Sequence, residues 1–253
     1  MVQNIVSCRP SSYGKYKDKS FEHMAKIGIR YVELPMPKPQ DMDRVRDELG
    51  KYGLSVASLE CPCDIQNENV EEEFGKVIKT AEEFGAKRLF VSVHADKIGK
   101  EAAYGRLRKL GDLAAKKGQV IILETHPDLV TNGDVGLQTM KGVDQPNVRL
   151  NYDTANMYYY NEGIDGVEEL KKILGYVEGV HLKDTNGKPR TWYFPALGEG
   201  IVDFRKIREL LNGRSFRGPF TIENEGIEGE SLTLAQTLER MEKSVKHLKK
   251  CGY

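Results

Sequence analysis

The chain is poor in cysteine and has no surplus of charge of either sign. Cys8, Cys61, Cys63 and Cys251 form no CxxC pair. Cys61 and Cys63 share a face if their segment is extended, but two sulfurs without matching partners cannot close a tetrahedral zinc site, so they read as reduced thiols. Lys plus Arg equals Asp plus Glu at 38 each. This removes the overall basic field that draws proteins to nucleic acid, and no nucleic-acid partner is expected. No apolar run approaches the ~20 residues that cross a bilayer, so no membrane partner is expected either. The segment MVQNIVSC has no cationic stretch ahead of a long apolar one, which leads us to expect no secretory signal and a cytoplasmic protein. Neither GxGxxG nor GxxxxGK[ST] occurs, and SCRPSSYGKY follows the first apolar run, so a nucleotide-binding open sheet is disfavoured.

What is present is a regular alternation of short β-rich runs and helical patterns. Strands are predicted at Gln3 to Ser7, Arg30 to Leu34, Leu54 to Leu59, Arg88 to Val93, Gln119 to Thr125, Val148 to Tyr152, Val177 to Leu182 and Gly218 to Ile222. Helices are predicted over Ser20 to Ile27, Gln40 to Tyr52, Asn67 or Asn69 to Phe84, Glu101 to Lys117, Asp134 to Gly142, Gly166 to Leu174, Asp203 to Leu211 and Ser231 to Lys250. Gly53, Gly85 and Gly118 stand where helices should stop. Nearly unbroken apolar strands such as QVIILET mark a parallel sheet covered on both faces. Eight such units in 253 residues match the usual size of a barrel and leave no room for a second domain, so residues 1–253 are read as α/β, a single (β/α)8 TIM barrel.

Five of these runs carry a polar or acidic residue at or just past their carboxyl ends, where a barrel places its chemistry. They are LFVSVH, VIILETH, VRLNYDTAN, VEGVHLKD and PFTIENE. Charges at strand ends cost free energy unless something offsets their desolvation, so the repetition suggests a shared ligand. Glu124, Asp153, His181 and Glu223 together suit one divalent metal. Glu225, two residues on, is the rival to Glu223.

The set LETHP, NYDTAN, GVHLKD, ALGEG and FTIENEG, in this order and at these intervals, resembles the xylose isomerase-like barrel superfamily. Its members include sugar isomerases, ketose 3-epimerases, hydroxypyruvate isomerase, inosose dehydratase, dehydroshikimate dehydratase and endonuclease IV. The resemblance spans essentially the whole chain and is strongest from Ile121 to Gly226. Carried over by position, it makes Glu124, Asp153, His181 and Glu223 the metal ligands, and Glu124 and Glu223 the acid/base pair. Three carboxylates and one imidazole form a hard site suited to Mn2+ first, with Mg2+, Co2+ or Zn2+ as alternatives. Such a metal stabilises the enediolate formed when a C–H proton next to a carbonyl leaves.

Further residues are candidate substrate contacts. His126 shares a face with Glu124, and Lys183 with His181, where Lys183 binds substrate or pairs with Glu223 or Asp184; His94 ends the fourth strand, and Glu33 and Glu60 end the second and third, where they bind substrate hydroxyls or pair with Arg9 or Lys183. Asn156 stands where ketose epimerases usually carry histidine, which weakens that likeness. Trp192 and Phe194 occupy the places of two extra zinc ligands of endonuclease IV, which argues against DNA repair. Arg190, Trp192, Tyr193 and Phe194 read as a lid over the mouth, and Tyr158 to Tyr160 as packing or a homo-oligomer surface.

The leading expectation is a metal-dependent sugar isomerase or epimerase acting on a small ketose or aldose. The alternative within enzymes is a lyase or dehydratase of the same fold acting on a keto-sugar, inosose or dehydroshikimate-like acid. A third reading is a catalytically silent sugar-binding barrel or a subunit of a hetero-complex.

Overall fold

The computed structural model describes residues 4–253. Eight parallel strands close into a barrel in the order β1 (Ile5–Cys8), β2 (Tyr31–Pro35), β3 (Ser55–Glu60), β4 (Arg88–Val91), β5 (Val120–Glu124), β6 (Val148–Asp153), β7 (Val177–Leu182) and β9 (Pro219–Ile222). The intervening β8 (Tyr193–Phe194) pairs antiparallel with β10 (Gly226–Ile227) as a separate ribbon above the barrel. The protein is thus a single (β/α)8 TIM barrel. Of the expected first strand, Gln3 lies outside the described residues.

The outer layer is α1 (Ser20–Lys26), α2 (Met42–Tyr52), α3 (Val70–Glu83), α4 (Lys100–Ala115), α5 (Gly133–Val143), α7 (Gly166–Ile173), α8 (Phe204–Gly213) and α9 (Leu234–Cys251), with a short α6 (Asn156–Tyr160) after β6. Leucine, isoleucine and valine from strands and inner helix faces form one buried core, which includes Leu89, Ile121, Leu123, Leu150, Val180 and Leu182. Gly53 ends α2 at φ 62°, a left-handed conformation that glycine adopts without strain. Among the described residues, no helix is long and apolar enough to cross a membrane.

Three differences from the sequence expectation matter for function. β4 ends at Val91, so His94 lies in the loop beyond it. α9 starts at Leu234 and not at Ser231, because Thr233 and Gln236 form a reciprocal capping box. The segment Pro10–Lys19, expected as loop, coils as 3-10 turns beside the barrel mouth.

Candidate metal centre and active site

Parallel register brings the four expected ligands together. Asp153 pairs with His181 across β6 and β7, and His181 pairs with Thr221 on β9, two residues before Glu223. One ligand atom from each of Glu124, Asp153, His181 and Glu223 lies within 4.8 Å of all the others, and all four residues are buried. His181 Nδ1 is 3.1 Å from Glu223 Oε2, 3.4 Å from Glu124 Oε2 and 3.9 Å from Asp153 Oδ2. This nitrogen is buried without a hydrogen-bond partner, and Asp153 Oδ2, equally buried, has only the Lys183 ammonium at 3.0 Å beside it. Asp153 Oδ1 is held by the backbone N–H groups of Ala155 and Asn156, both at 2.8 Å, which turns Oδ2 inward. An orphaned ring nitrogen is costly in a protein interior, and its convergence with three carboxylates fits a divalent cation with a hard, mostly oxygen donor set.

The surrounding residues orient these ligands. Glu33 Oε1 lies 2.9 Å from His181 Nε2, and Ser58 donates to the other Glu33 oxygen at 2.7 Å. With Nε2–H directed at Glu33, Nδ1 is the atom presented to a metal. Arg9 reaches three carboxylates: Glu33 at 3.3 Å, Glu60 at 2.7 Å, and Glu223 through Oε1. Phe90 packs against the His181 ring with centroids 4.6 Å apart, and the Arg9 guanidinium sits over the same phenyl at 5.3 Å. The Asn151 amide donates to Glu124 Oε2 at 2.8 Å and that of Asn156 to Oε1 at 3.2 Å. Asn151 has room because Gly179 lies opposite, where a Cβ would come within 2.6 Å of the Asn151 oxygen.

Burial and charge move the titration of these groups apart. Burial pushes Asp153 up to about 8, reinforced by Glu124 and Glu223 against the pull of Lys183 and His181. Burial also opposes ionisation of Glu223, but Lys183, His181 and Arg9 override it and hold this carboxyl well below its ordinary value. Desolvation alone would lower His181, yet Glu33, Glu124 and Glu223 raise it well above the usual imidazole range. A metal at Nδ1 therefore competes with a proton.

The expected substrate contacts fall into separate places. Lys183 is buried, 3.0 Å from both Asp153 Oδ2 and Glu223 Oε2 and 2.9 Å from Glu225. Glu225 thus pairs with Lys183 and stands outside the four-residue cluster. Glu33, read as a possible hydroxyl contact, is 1% exposed and lies against His181; β3 carries an extra residue at this point, Val32 facing Val56 and Glu33 facing Ser58, which sets the Ser58 hydroxyl beside it. Glu60 stays at the rim. Asn156 joins Glu124 and also accepts from Lys183 at 3.2 Å.

His94, His126, Tyr160, Tyr159 and Trp192 form an arc of edge-to-face rings around the mouth, with successive centroids 4.8 to 6.2 Å apart. His126 Nδ1 lies 3.0 Å from the Pro127 carbonyl. The loop bearing Trp192 is tied down at both ends: the Glu228 N–H donates to the Trp192 carbonyl at 2.9 Å, and the Arg190 N–H to that of Tyr159 at 2.9 Å. The Arg190 side chain itself is exposed. Asp184 anchors the following LGEG turn by accepting from the N–H groups of Gly198, Gly200 and Val202.

Three participants were not read as site residues from sequence. Arg9 stands directly after β1, so the strand-end rule that selected the acids would have found it. Asn151 was signalled by a lone amide inside the buried run VRLNYD. Phe90 carried no signal, because an aromatic inside an apolar strand reads as core.

The family model described as "Xylose isomerase-like TIM barrel" matches residues 21–251. The inosose dehydratase of Geobacillus thermodenitrificans is 26% identical, with 82% of each chain covered. The 3-dehydroshikimate dehydratase of Bacillus anthracis is 26% identical over 75% of this chain and 76% of the relative. The structure of a D-allulose 3-epimerase from Methylomonas sp. in complex with D-allulose superposes with a TM-score of 0.76 at 20% identity, covering 99% of this chain and 98% of the epimerase, a likeness of fold.

Proposed function

The chain belongs to the xylose isomerase-like TIM barrel family, and we propose that within this family of enzymes it is a metal-dependent lyase that removes water from a polyhydroxylated ketone. The observation that carries this reading is the inequality of the proton-transfer groups around the cluster. Glu223 is engaged by Arg9 and Lys183 and held strongly ionised, so it is a poor partner for taking and returning a proton near neutrality. His126 is available. The Pro127 carbonyl only accepts, so the neutral imidazole carries its proton on Nδ1 and presents the Nε2 lone pair.

Glu124, Asp153, His181 and Glu223 would hold a divalent ion, Mn2+ by preference, which would supply Lewis acidity toward the ketone. His126 Nε2 takes the proton from the carbon next to the carbonyl. The bond to the β-hydroxyl then breaks as the carbon–carbon double bond forms, and the imidazolium returns the proton to the departing oxygen as water. One group on one face completes this cycle, whereas inversion at carbon requires a second group on the other face. The arc of Tyr159, Tyr160 and Trp192 shields the site from bulk water. Similarity to two curated dehydratases supports the same reading.

An isomerase or epimerase with Glu124 and Glu223 as the acid/base pair is the second reading, favoured by the approach of both carboxylates to the same point. The two readings separate in D2O. Mn2+-loaded protein incubated with an inosose and with a ketose is expected to yield a dehydrated product, read by mass spectrometry, and His126→Gln to lower that turnover at least about a hundredfold. Recovery of deuterium-labelled but otherwise intact sugar, with no dehydrated product, would establish the epimerase instead.

A further inference from the structure

The two permanent cations of the site are each sealed by an outer carboxylate. Arg9 binds Glu33 and Glu223 in the interior, and its remaining nitrogen is taken by Glu60, whose side chain is 38% exposed. Lys183 binds Asp153 and Glu223 in the interior, and Glu225, 33% exposed, closes it from outside. Its ammonium also lies over the Phe194 ring, with Nζ 5.0 Å from the centroid. A molecule entering from the mouth therefore meets Glu60 and Glu225 before it meets either cation.

The charge count points the same way. Glu33, Glu60, Glu124, Asp153, Glu223 and Glu225 are six carboxylates against Arg9 and Lys183. A divalent ion with His181 neutral still leaves two negative charges uncompensated. Lys188 and Arg190, the cations of the outer loop, are exposed and form no ion pair with any of these groups among the described residues.

We propose that Glu60 and Glu225 act as specificity residues that restrict this site to uncharged polyhydroxy ketones and reject carboxylate- or phosphate-bearing ones. The inference rests on the dehydratase reading for the place where substrate binds, and it assigns the substrate class that reading leaves open. Rejection arises from juxtaposed like charge and from the cost of breaking an ion pair to free Arg9 or Lys183.

The test compares an inosose, an uncharged cyclic ketone, with 3-dehydroshikimate, a cyclic ketone carrying a carboxylate. Binding to the Mn2+-loaded protein is read as the rise in Tm with ligand concentration, which needs no turnover. The wild type should bind the inosose at least about tenfold more tightly, and Glu60→Gln and Glu225→Gln should each tighten the anion about three- to tenfold. Raising the salt concentration should narrow the gap in the wild type without any substitution. Equal or tighter binding of 3-dehydroshikimate by the wild type, or no binding of the inosose, would overturn the proposal. Product formation followed in parallel keeps the two readings apart: selective binding of the inosose without dehydration would sink the dehydratase and leave the charge selectivity standing.

Discussion

The later strands of the barrel and the earlier ones contribute different things to the same site. β5, β6, β7 and the end of β9 supply Glu124, Asp153, His181 and Glu223, the four groups that converge on one point. β1 to β4 and their ends supply Arg9, Glu33, Ser58, Glu60 and Phe90, of which Arg9, Glu33 and Phe90 touch members of that quartet. The later half holds the metal candidates together with Asn151, Asn156 and Lys183, and the earlier half adds Arg9, Glu33 and Phe90 as supports from across the barrel. Precision at a metal site depends on both, since a ligand that is free to swing loses affinity although its donor atom is intact.

Substitutions in the two halves should therefore differ in degree. Asp153→Ala and His181→Ala are expected to lower Mn2+ affinity more than about a hundredfold, measured by equilibrium dialysis, because each removes a donor. Glu33→Gln keeps every donor and loses only the carboxylate behind His181, so its loss should fall between about ten- and a hundredfold. Equal losses from the two halves would erase the distinction.

Protonation offers a gentler probe of the same division. Asp153 is raised to about 8 and His181 is raised as well, and both must lose a proton to bind a cation. Mn2+ affinity should thus increase as pH rises through neutrality, with protons released on binding, as counted by calorimetry in buffers of different ionisation heat. Affinity independent of pH between 6 and 9, taken as a range of roughly one and a half units either side of neutral titration, would contradict these shifts. The smallest effect belongs to the rim. Trp192→Ala should raise KM a few-fold, about three to ten, and leave Mn2+ affinity unchanged, since the indole lies in the outer loop and 41% of it is exposed.

The same division governs what could be read from the amino-acid sequence. The barrel was legible because buried parallel strands are continuous apolar runs and helices repeat at their own period. The quartet Glu124, Asp153, His181 and Glu223 was legible because a charge at the end of such a run breaks the pattern, and the structure draws those four together. The supports were harder. Glu33 was noticed, but its pairing with Ser58 depends on an extra residue in β3 that leaves no mark on residue order. Phe90 looks like any core aromatic. The β8–β10 ribbon was invisible because two-residue strands carry no periodicity. Lys183 was read as a substrate contact or a partner of Glu223 or Asp184, and it does pair with Glu223; its contact with Glu225 was not read, because that is a property of two separate loops meeting.

The pairing of β1 with β9 joins the beginning of the chain to its last third. Four residue pairs, Ile5 with Pro219 through Cys8 with Ile222, form that seam. The Ser7 and Thr221 hydroxyls lie 2.7 Å apart across 214 residues of sequence, and Arg9 meets Glu223 just beyond them. A chain still emerging from the ribosome holds Glu124, Asp153 and His181 but lacks both the fourth donor and its clamp until residue 223 has been made. The four-donor cluster is thereby complete only when the last strand has closed against the first.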